Sequence, residues 1–194
     1  MRKNSKIFFF LLLVIGGCGL FDTRDVELPN TPRSNFIPPT TPDIVITNFT
    51  AAIFQRDINN YVNCISDSNF GGAVFTYRPD VVSQGTYPIF ATWDKSKENS
   101  YFTNLVTQTS EASTSNLFLS NMSSNISTDS AVYDSDYLLI FNHNRANVAR
   151  QAKGKLRFVI THDSRNLWAI KSWTDFRVND SDTTWSVIKA NFSN

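Results

Sequence analysis

Two histidines, one interior cysteine and a few scattered carboxylates are what this 194-residue chain offers for acid–base, nucleophilic or metal chemistry. His162 with Tyr133 is the one pair suited to moving a proton, an imidazole that titrates near neutrality beside a phenol. Hydrophobic matching of the C-terminal strands sets these two opposite each other. The same register leaves His143 ten residues from Tyr133, about 30 Å along a strand, so the two histidines share neither a metal nor a dyad. Asp67 is an isolated acid, and Asp175 is expected to pair with Lys153 across neighbouring strands. Cys64 has no nucleophile motif and sits beside Ile65 on a predicted helix, where a free cysteine fills space. No zinc-ligand spacing, phosphate-binding glycine loop or nucleophile elbow occurs. These residues assign no catalytic group, no metal and no cofactor.

Binding asks less of a sequence than catalysis does. Tyr61, Trp93, Tyr133, Tyr137 and Trp168, with His162 at the edge, could line an apolar pocket rimmed by hydroxyls. The elements that would position them follow from periodicity. Thr41-Pro42-Asp43 starts a helix in which Val45, Phe49, Ala52 and Ile53 share one face. Asp57 starts a second, short helix carrying Ile58, Tyr61, Val62 and Ile65. A β-prone stretch, 73–77, precedes Pro79, and a third helix follows Thr92-Trp93-Asp94 with Tyr101, Phe102 and Leu105 facing the core. Residues 107–130 are rich in Ser, Thr and Asn, with one short strand expected at Leu117-Phe118-Leu119.

Three strands are predicted over 132–143, 152–162 and 167–178. Placing Ile160 opposite Trp168 sets Phe158 against Ile170, Ala152 against Phe176, and Lys153 against Asp175 on the other face. Placing Phe158 opposite Tyr137 sets Leu156 against Leu139 and Gly154 against Phe141. Arg145, Arg150, Lys153, Lys155 and Arg157 make a basic hairpin whose alternation is that of a solvated face. Trp185 and Ile188, in a closing helix or turn, can cover an open end of the sheet.

The N-terminus places the domain. Arg2, Lys3 and Lys6 precede an apolar run, 7–15, too short to span a bilayer comfortably, and small residues follow at Gly16-Gly17. Val14-Ile15-Gly16-Gly17-Cys18 resembles the lipobox of bacterial lipoproteins, which implies cleavage before Cys18 and its lipidation. Residues 1–17 then form a signal peptide, 18–41 a lipidated, Pro-rich tether, and 42–194 the domain. Loss of the leader's three cations turns the formal charge of +1 into −2, which gives no reason to expect a nucleic-acid partner. With Cys18 lipidated, Cys64 has no disulfide partner, so burial of the 16 Phe, 6 Tyr and 4 Trp must stabilise the domain. The resemblance implies a bacterial cell envelope location with the domain outside the cytoplasm. Gly19 is not the aspartate that holds enterobacterial lipoproteins at the inner membrane and gives no strong sorting signal; the outer membrane is expected over the inner.

Helices first, one strand, another helix and then a long antiparallel sheet is an α+β order. With Leu167-Trp168-Ala169-Ile170-Lys171-Ser172-Trp173-Thr174-Asp175 as a penultimate strand and Thr184-Trp185-Ser186 closing the chain, it resembles the nuclear-transport-factor-2-like, or cystatin-like, superfamily. That implies helices packed in a curved antiparallel sheet, a cone with a pocket at its wide end. Two roles are compatible with it. One is a non-catalytic module that binds an envelope protein or a small apolar ligand. The other is an isomerase or dehydratase using a pocket His/Tyr pair or Asp, which requires an open cone with His162 inside.

Overall fold

The computed structural model describes residues 35–193. The predicted signal peptide, Cys18 and the tether up to residue 34 lie outside these residues. The end of the expected tether belongs to the domain instead. Phe36 packs on the core, Ile37 exchanges two hydrogen bonds with the Asn48 side chain (3.1 and 2.6 Å), and the Pro39 carbonyl accepts from the Trp168 N–H at 2.8 Å.

Helix α1 (Pro42–Gln55) begins as its sequence dictates, with Pro42 in the first turn and Asp43 at the positive end of the dipole, although the Thr41 hydroxyl makes no capping bond. It ends where Arg56 turns left-handed, at φ 57°, and Val45, Phe49, Ala52 and Ile53 are buried. Asp57 caps α2 (Ile58–Asn63) by accepting from the Asn60 N–H. Strand β1 is three residues, Thr76–Arg78. Asp80 then caps a helix not foreseen, α3 (Val81–Thr86), and a 3-10 turn over Pro88–Thr92 leads to α4 (Lys95–Thr107), capped by Asp94. Strands β2 (Ser115–Ile126), β3 (Ser130–Phe141), β4 (Gln151–His162) and β5 (Trp168–Phe176) precede α5 (Trp185–Phe192). The domain is α+β, with helices packed in a curved sheet of order β1-β5-β4-β3-β2, antiparallel except for β1 beside β5.

Both predicted registers are corrected. Tyr133 pairs with Phe158 and Tyr137 with Gly154, a slip of four residues that keeps every side chain on its expected face. Between β4 and β5 the pairing runs Ile160↔Ile170 but Val159↔Ser172, so a bulge inserts one residue into β5. One extra residue reverses the sidedness of everything beyond it. Trp173 and Asp175 therefore turn into the core, where they are 0% and 1% exposed, and Phe176 turns outward. The expected Lys153–Asp175 pair does not form. Lys153 binds Asp182 at 3.0 Å, while Lys155 and Arg157 pair with Asp136 and Asp134 on β3.

Strand β2 is four times the length of the apolar run that betrayed it. Its polar residues gain their order from pairing along the whole of β3 rather than from burial. Gly154 serves a close approach: a Cβ there would stand 2.5 Å from the Phe176 carbonyl and 2.9 Å from the Tyr137 hydroxyl.

Candidate functional site

The interior of the cone is where a pocket was expected, and it is filled. The ring of Phe49 meets those of Phe158 and Trp173 edge-on at 5.4 and 5.6 Å, and Trp173 meets Trp185 at 4.6 Å. Tyr61 stacks on Phe102 at 3.8 Å. The tryptophan at the start of α5 is the plug, since α5 lays Trp185, Ile188, Lys189 and Phe192 into the open end of the sheet.

Two polar nodes lie inside this packing. In the first, Glu98 of α4 and Lys189 of α5 form an ion pair with side chains 1% and 0% exposed. Glu98 also accepts from the Tyr61 hydroxyl and the Trp93 indole N–H, both at 2.6 Å. The ammonium lies 3.6 Å from the centre of the Trp173 ring and 4.0 Å from that of Tyr77. Burial pulls Lys189 down to about 8 against the opposing pull of Glu98. Burial also pushes Tyr61 and Tyr101 far above the ordinary phenol value, with the Glu98 charge adding to it.

The second node fastens α5 to the sheet. Asp175 accepts from the Tyr137 hydroxyl (2.8 Å) through one oxygen, and from the Ser186 N–H (2.8 Å) and hydroxyl (2.5 Å) through the other. The Tyr137 hydroxyl in turn accepts from the Trp185 N–H at 2.7 Å. These two N–H groups open α5, so Asp175 and Tyr137 do the capping that the Thr184 side chain does not. Thr184 donates instead to Asp80 at 2.6 Å, and Arg177 binds the other Asp80 oxygen at 3.1 Å. Burial raises the Asp175 carboxyl in spite of its donors. At Asp80 the bonds from Ser83, Thr184 and Arg177 outweigh burial and hold the carboxyl low.

The six residues proposed for the pocket are dispersed. Tyr61 and Trp93 hold Glu98, and Tyr137 holds Asp175. Tyr133 donates to Asp43 at 2.6 Å and faces Phe158, not His162. His162 ends β4 with a third of its side chain in water. It packs on Trp168 at 5.4 Å, its Nδ1 lies 3.3 Å from the Asp163 carbonyl, and its Nε2 lies 3.6 Å from Asp129. The His162–Tyr133 pair is thus not formed, because the four-residue slip moves Asp129 into Tyr133's predicted place. His143 is fully buried against Phe192, with Nε2 3.1 Å from the Ala149 carbonyl. Asp67 is held ionised, chiefly by the Asn69 N–H and also by Lys95. Cys64 is buried, donates to the Asn60 carbonyl at 3.2 Å, and burial pushes its thiol far up. No cluster of metal-ligating side chains forms among the described residues, and none of their helices is long and apolar enough to cross a membrane.

The space that remains lies outside the cone. A cleft of about 650 Å³ opens between the ends of β1 and β5 and helix α3, floored by Asp80 and Asp175 and rimmed by Val81, Val82 and Phe176. A smaller one, about 320 Å³, holds Trp168, Phe70 and the Lys95–Asp67 pair. A groove of about 660 Å³ runs between α1 and the edge strand β2.

Searches by sequence find no matching family model and no matching curated protein. Solved structures do match. A protein from Streptomyces avermitilis, provisionally described as a dehydratase of the NTF2-like family, superposes with a TM-score of 0.53 at 10% identity, over 70% of this chain and 93% of that one. The domain has the nuclear-transport-factor-2-like fold. A nuclear transport factor 2-like superfamily protein from Salmonella enterica matches this cone with a TM-score of 0.51 at 11% identity, over 71% of this chain and 88% of that one. A protein from Novosphingobium aromaticivorans, provisionally described as an aromatic ring hydroxylase, matches with 0.50 at 14%, over 75% and 92%. At these identities the likeness is one of fold.

Glu98 and Lys189 were not foreseen, yet the sequence carries a signal for both. Glu98 shares a helix face with Tyr101, Phe102 and Leu105, and Lys189 shares one with Trp185, Ile188 and Phe192. Each is a lone charge at the i, i+3, i+4 spacing of an apolar stripe.

Proposed function

We propose that the chain is an envelope lipoprotein, anchored through Cys18, whose cone-like domain holds a protein partner at the membrane and transforms no substrate. The observation that carries this reading is the filled cone. The interior holds a Glu98–Lys189 pair whose carboxylate already accepts from Lys189, Tyr61 and Trp93. Asp175 likewise spends both oxygens on Tyr137 and Ser186. A general base needs a free lone pair within reach of a substrate proton; the Glu98 carboxylate offers none, and Asp175 is only 1% exposed. His162, the imidazole an isomerase would need inside, stands at the rim.

The partner's anchor would enter the cleft beside α3, where Val81 and Val82 are 84% and 55% exposed and Phe176 41%. Native mass spectrometry of the lipidated protein, extracted gently from its own envelope, tests this. A second polypeptide at fixed stoichiometry is expected on the wild type and absent from Val82→Asp. A Cys18→Ala form released as a soluble chain is expected to lose it as well. A small molecule retained one per chain by both anchored and released forms would refute the protein-partner reading.

A further inference from the structure

The edge of the sheet points to a second binding surface, independent of the cleft beside α3. Strand β2 is the last in the order β1-β5-β4-β3-β2, and among the described residues its outer side pairs with no other strand. Sheet edges are normally blunted by charge, proline or brevity. This one is 12 residues long and contains no Asp, Glu, Lys, Arg or Pro. The other four strands each carry charged side chains. A bulge at Asn121, with φ 50°, interrupts β2 only after Ser120, so Ser115–Ser120 is an unbroken run of free edge.

The groove along that edge has the same character. Its second wall is α1, which contributes Ile46, Thr47, Ala51 and Phe54, and no ionisable side chain lines it on either wall. The cleft beside α3 and the one at Trp168 both contain charged residues. Phe54, Phe118 and Met122, at 61%, 53% and 51% exposure, stand at the groove in water. A soluble surface carries such a patch at a cost unless something covers it.

We infer that β2 pairs antiparallel with β2 of a second copy of this chain over Asn116–Ser120, with Asn116 opposite Ser120 and Phe118 opposite the Phe118 of the other copy, joining the two sheets across a two-fold axis and covering the groove of each copy with the edge strand of the other. The absence of charge selects the occupant. Antiparallel self-pairing sets residues of one strand against residues of the same strand, where any charge near the axis meets its own like and repels. A neutral strand alone escapes this, while a charged foreign strand would find no complement to select it. The two half-exposed Phe rings offer on the order of 250 Å² per copy, and the paired backbone of Asn116–Ser120 with Leu119 and Met122 brings the contact toward the ~800 Å² per partner of a standard interface.

Sedimentation of the lipidated chain in density-matched detergent tests this, with Phe118→Lys and Val74→Lys as variants. Both positions are exposed, so neither change should alter the thermal melt. The wild type is expected at twice the mass of one lipidated chain. Phe118→Lys should raise the dissociation constant at least tenfold, and Val74→Lys should leave it unchanged. Mild oxidation of the Asn116→Cys/Ser120→Cys double variant in intact cells should give a disulfide-linked pair, because each of these positions lies opposite the other on the second copy, and the exposed Val74→Cys should not. A wild type that stays monomeric, a dimer indifferent to Phe118→Lys, or a different protein crosslinked to the Asn116→Cys/Ser120→Cys variant would each overturn the inference. None of these outcomes bears on the partner expected at the cleft, whose variant is Val82→Asp.

Discussion

Removing one member of the Glu98–Lys189 pair should cost most of the domain's stability, and removing both should restore much of it. Lys189→Met leaves Glu98 buried with only the Tyr61 hydroxyl and the Trp93 indole as donors. An uncompensated buried charge of this kind costs about 3–5 kcal/mol. Glu98→Gln leaves the ammonium buried instead, and the folded chain escapes by releasing the proton. Neutralising at pH 7 a lysine whose ordinary value is 10.5 costs at most about 5 kcal/mol. Either loss is a large share of the ~5–15 kcal/mol that holds a domain of this size. In the double variant the introduced amide oxygen still accepts one hydrogen bond and the introduced thioether chain fills the lysine's volume, so a loss of about 1–2 kcal/mol is expected and the coupling should exceed about 2 kcal/mol. Urea titration at pH 7, followed by the fluorescence of the buried Trp173 and Trp185, measures all four forms. The pair also predicts a slope. The folded chain holds the Lys189 proton less tightly than the unfolded chain, at about 8 against 10.5, so between those pH values the unfolded state binds more protons and this group's contribution to stability rises with pH. Lys189→Met should remove that rise. Single variants that each cost under about 1 kcal/mol, or costs that simply add, would refute the account of a sealed ionic core.

Other expectations follow from the same geometry. Gly154→Ala should cost about 1–3 kcal/mol in urea titration, because its Cβ would meet the Phe176 backbone carbonyl, which cannot rotate away. His143 is held below 6.5, first by burial and further by Arg150 and Arg145, so the unfolded state binds more protons just below that pH and stability should fall as pH drops through it. His143→Gln should flatten this fall in urea midpoints compared between pH 7 and 5. Cys64 should resist a thiol reagent in the native protein and react on unfolding, since its thiol is both buried and shifted far up. Cys18→Ala should move the protein from the membrane to the soluble fraction, and no change in fractionation would refute lipid anchoring.

Local rules decided the helices. Asp57 and Asp94 cap where a carboxylate before a helical pattern should, and Val45, Phe49, Tyr101, Phe102 and Leu105 are buried where their spacing places them. Each of these signals lies within a few residues of its effect. The α+β order was legible for the same reason, as was the burial of Cys64. Asp80 before Val81-Val82 carried the same cap signal for α3 and was missed because Gly85 and Pro88 made the stretch look irregular.

What the candidate site required was not local. A single inserted residue in β5 moved Trp173 and Asp175 from the outer face to the core, and no alternation pattern announces a bulge. The slip between β3 and β4 separated Tyr133 from His162, because aromatic and aliphatic residues at every second position satisfy several even registers equally. The charges Glu98 and Lys189 stood visibly on apolar stripes of two helices, but only the fold brings residues 91 positions apart into one pair. Sequence alone determined where the capped helices start and which of their faces seek burial, because caps and periodicity act over one or two turns. Tertiary structure alone decided that the cone is closed, because whether a pocket survives depends on how helices from both ends of the domain pack against a sheet whose register is set by all of its strands at once.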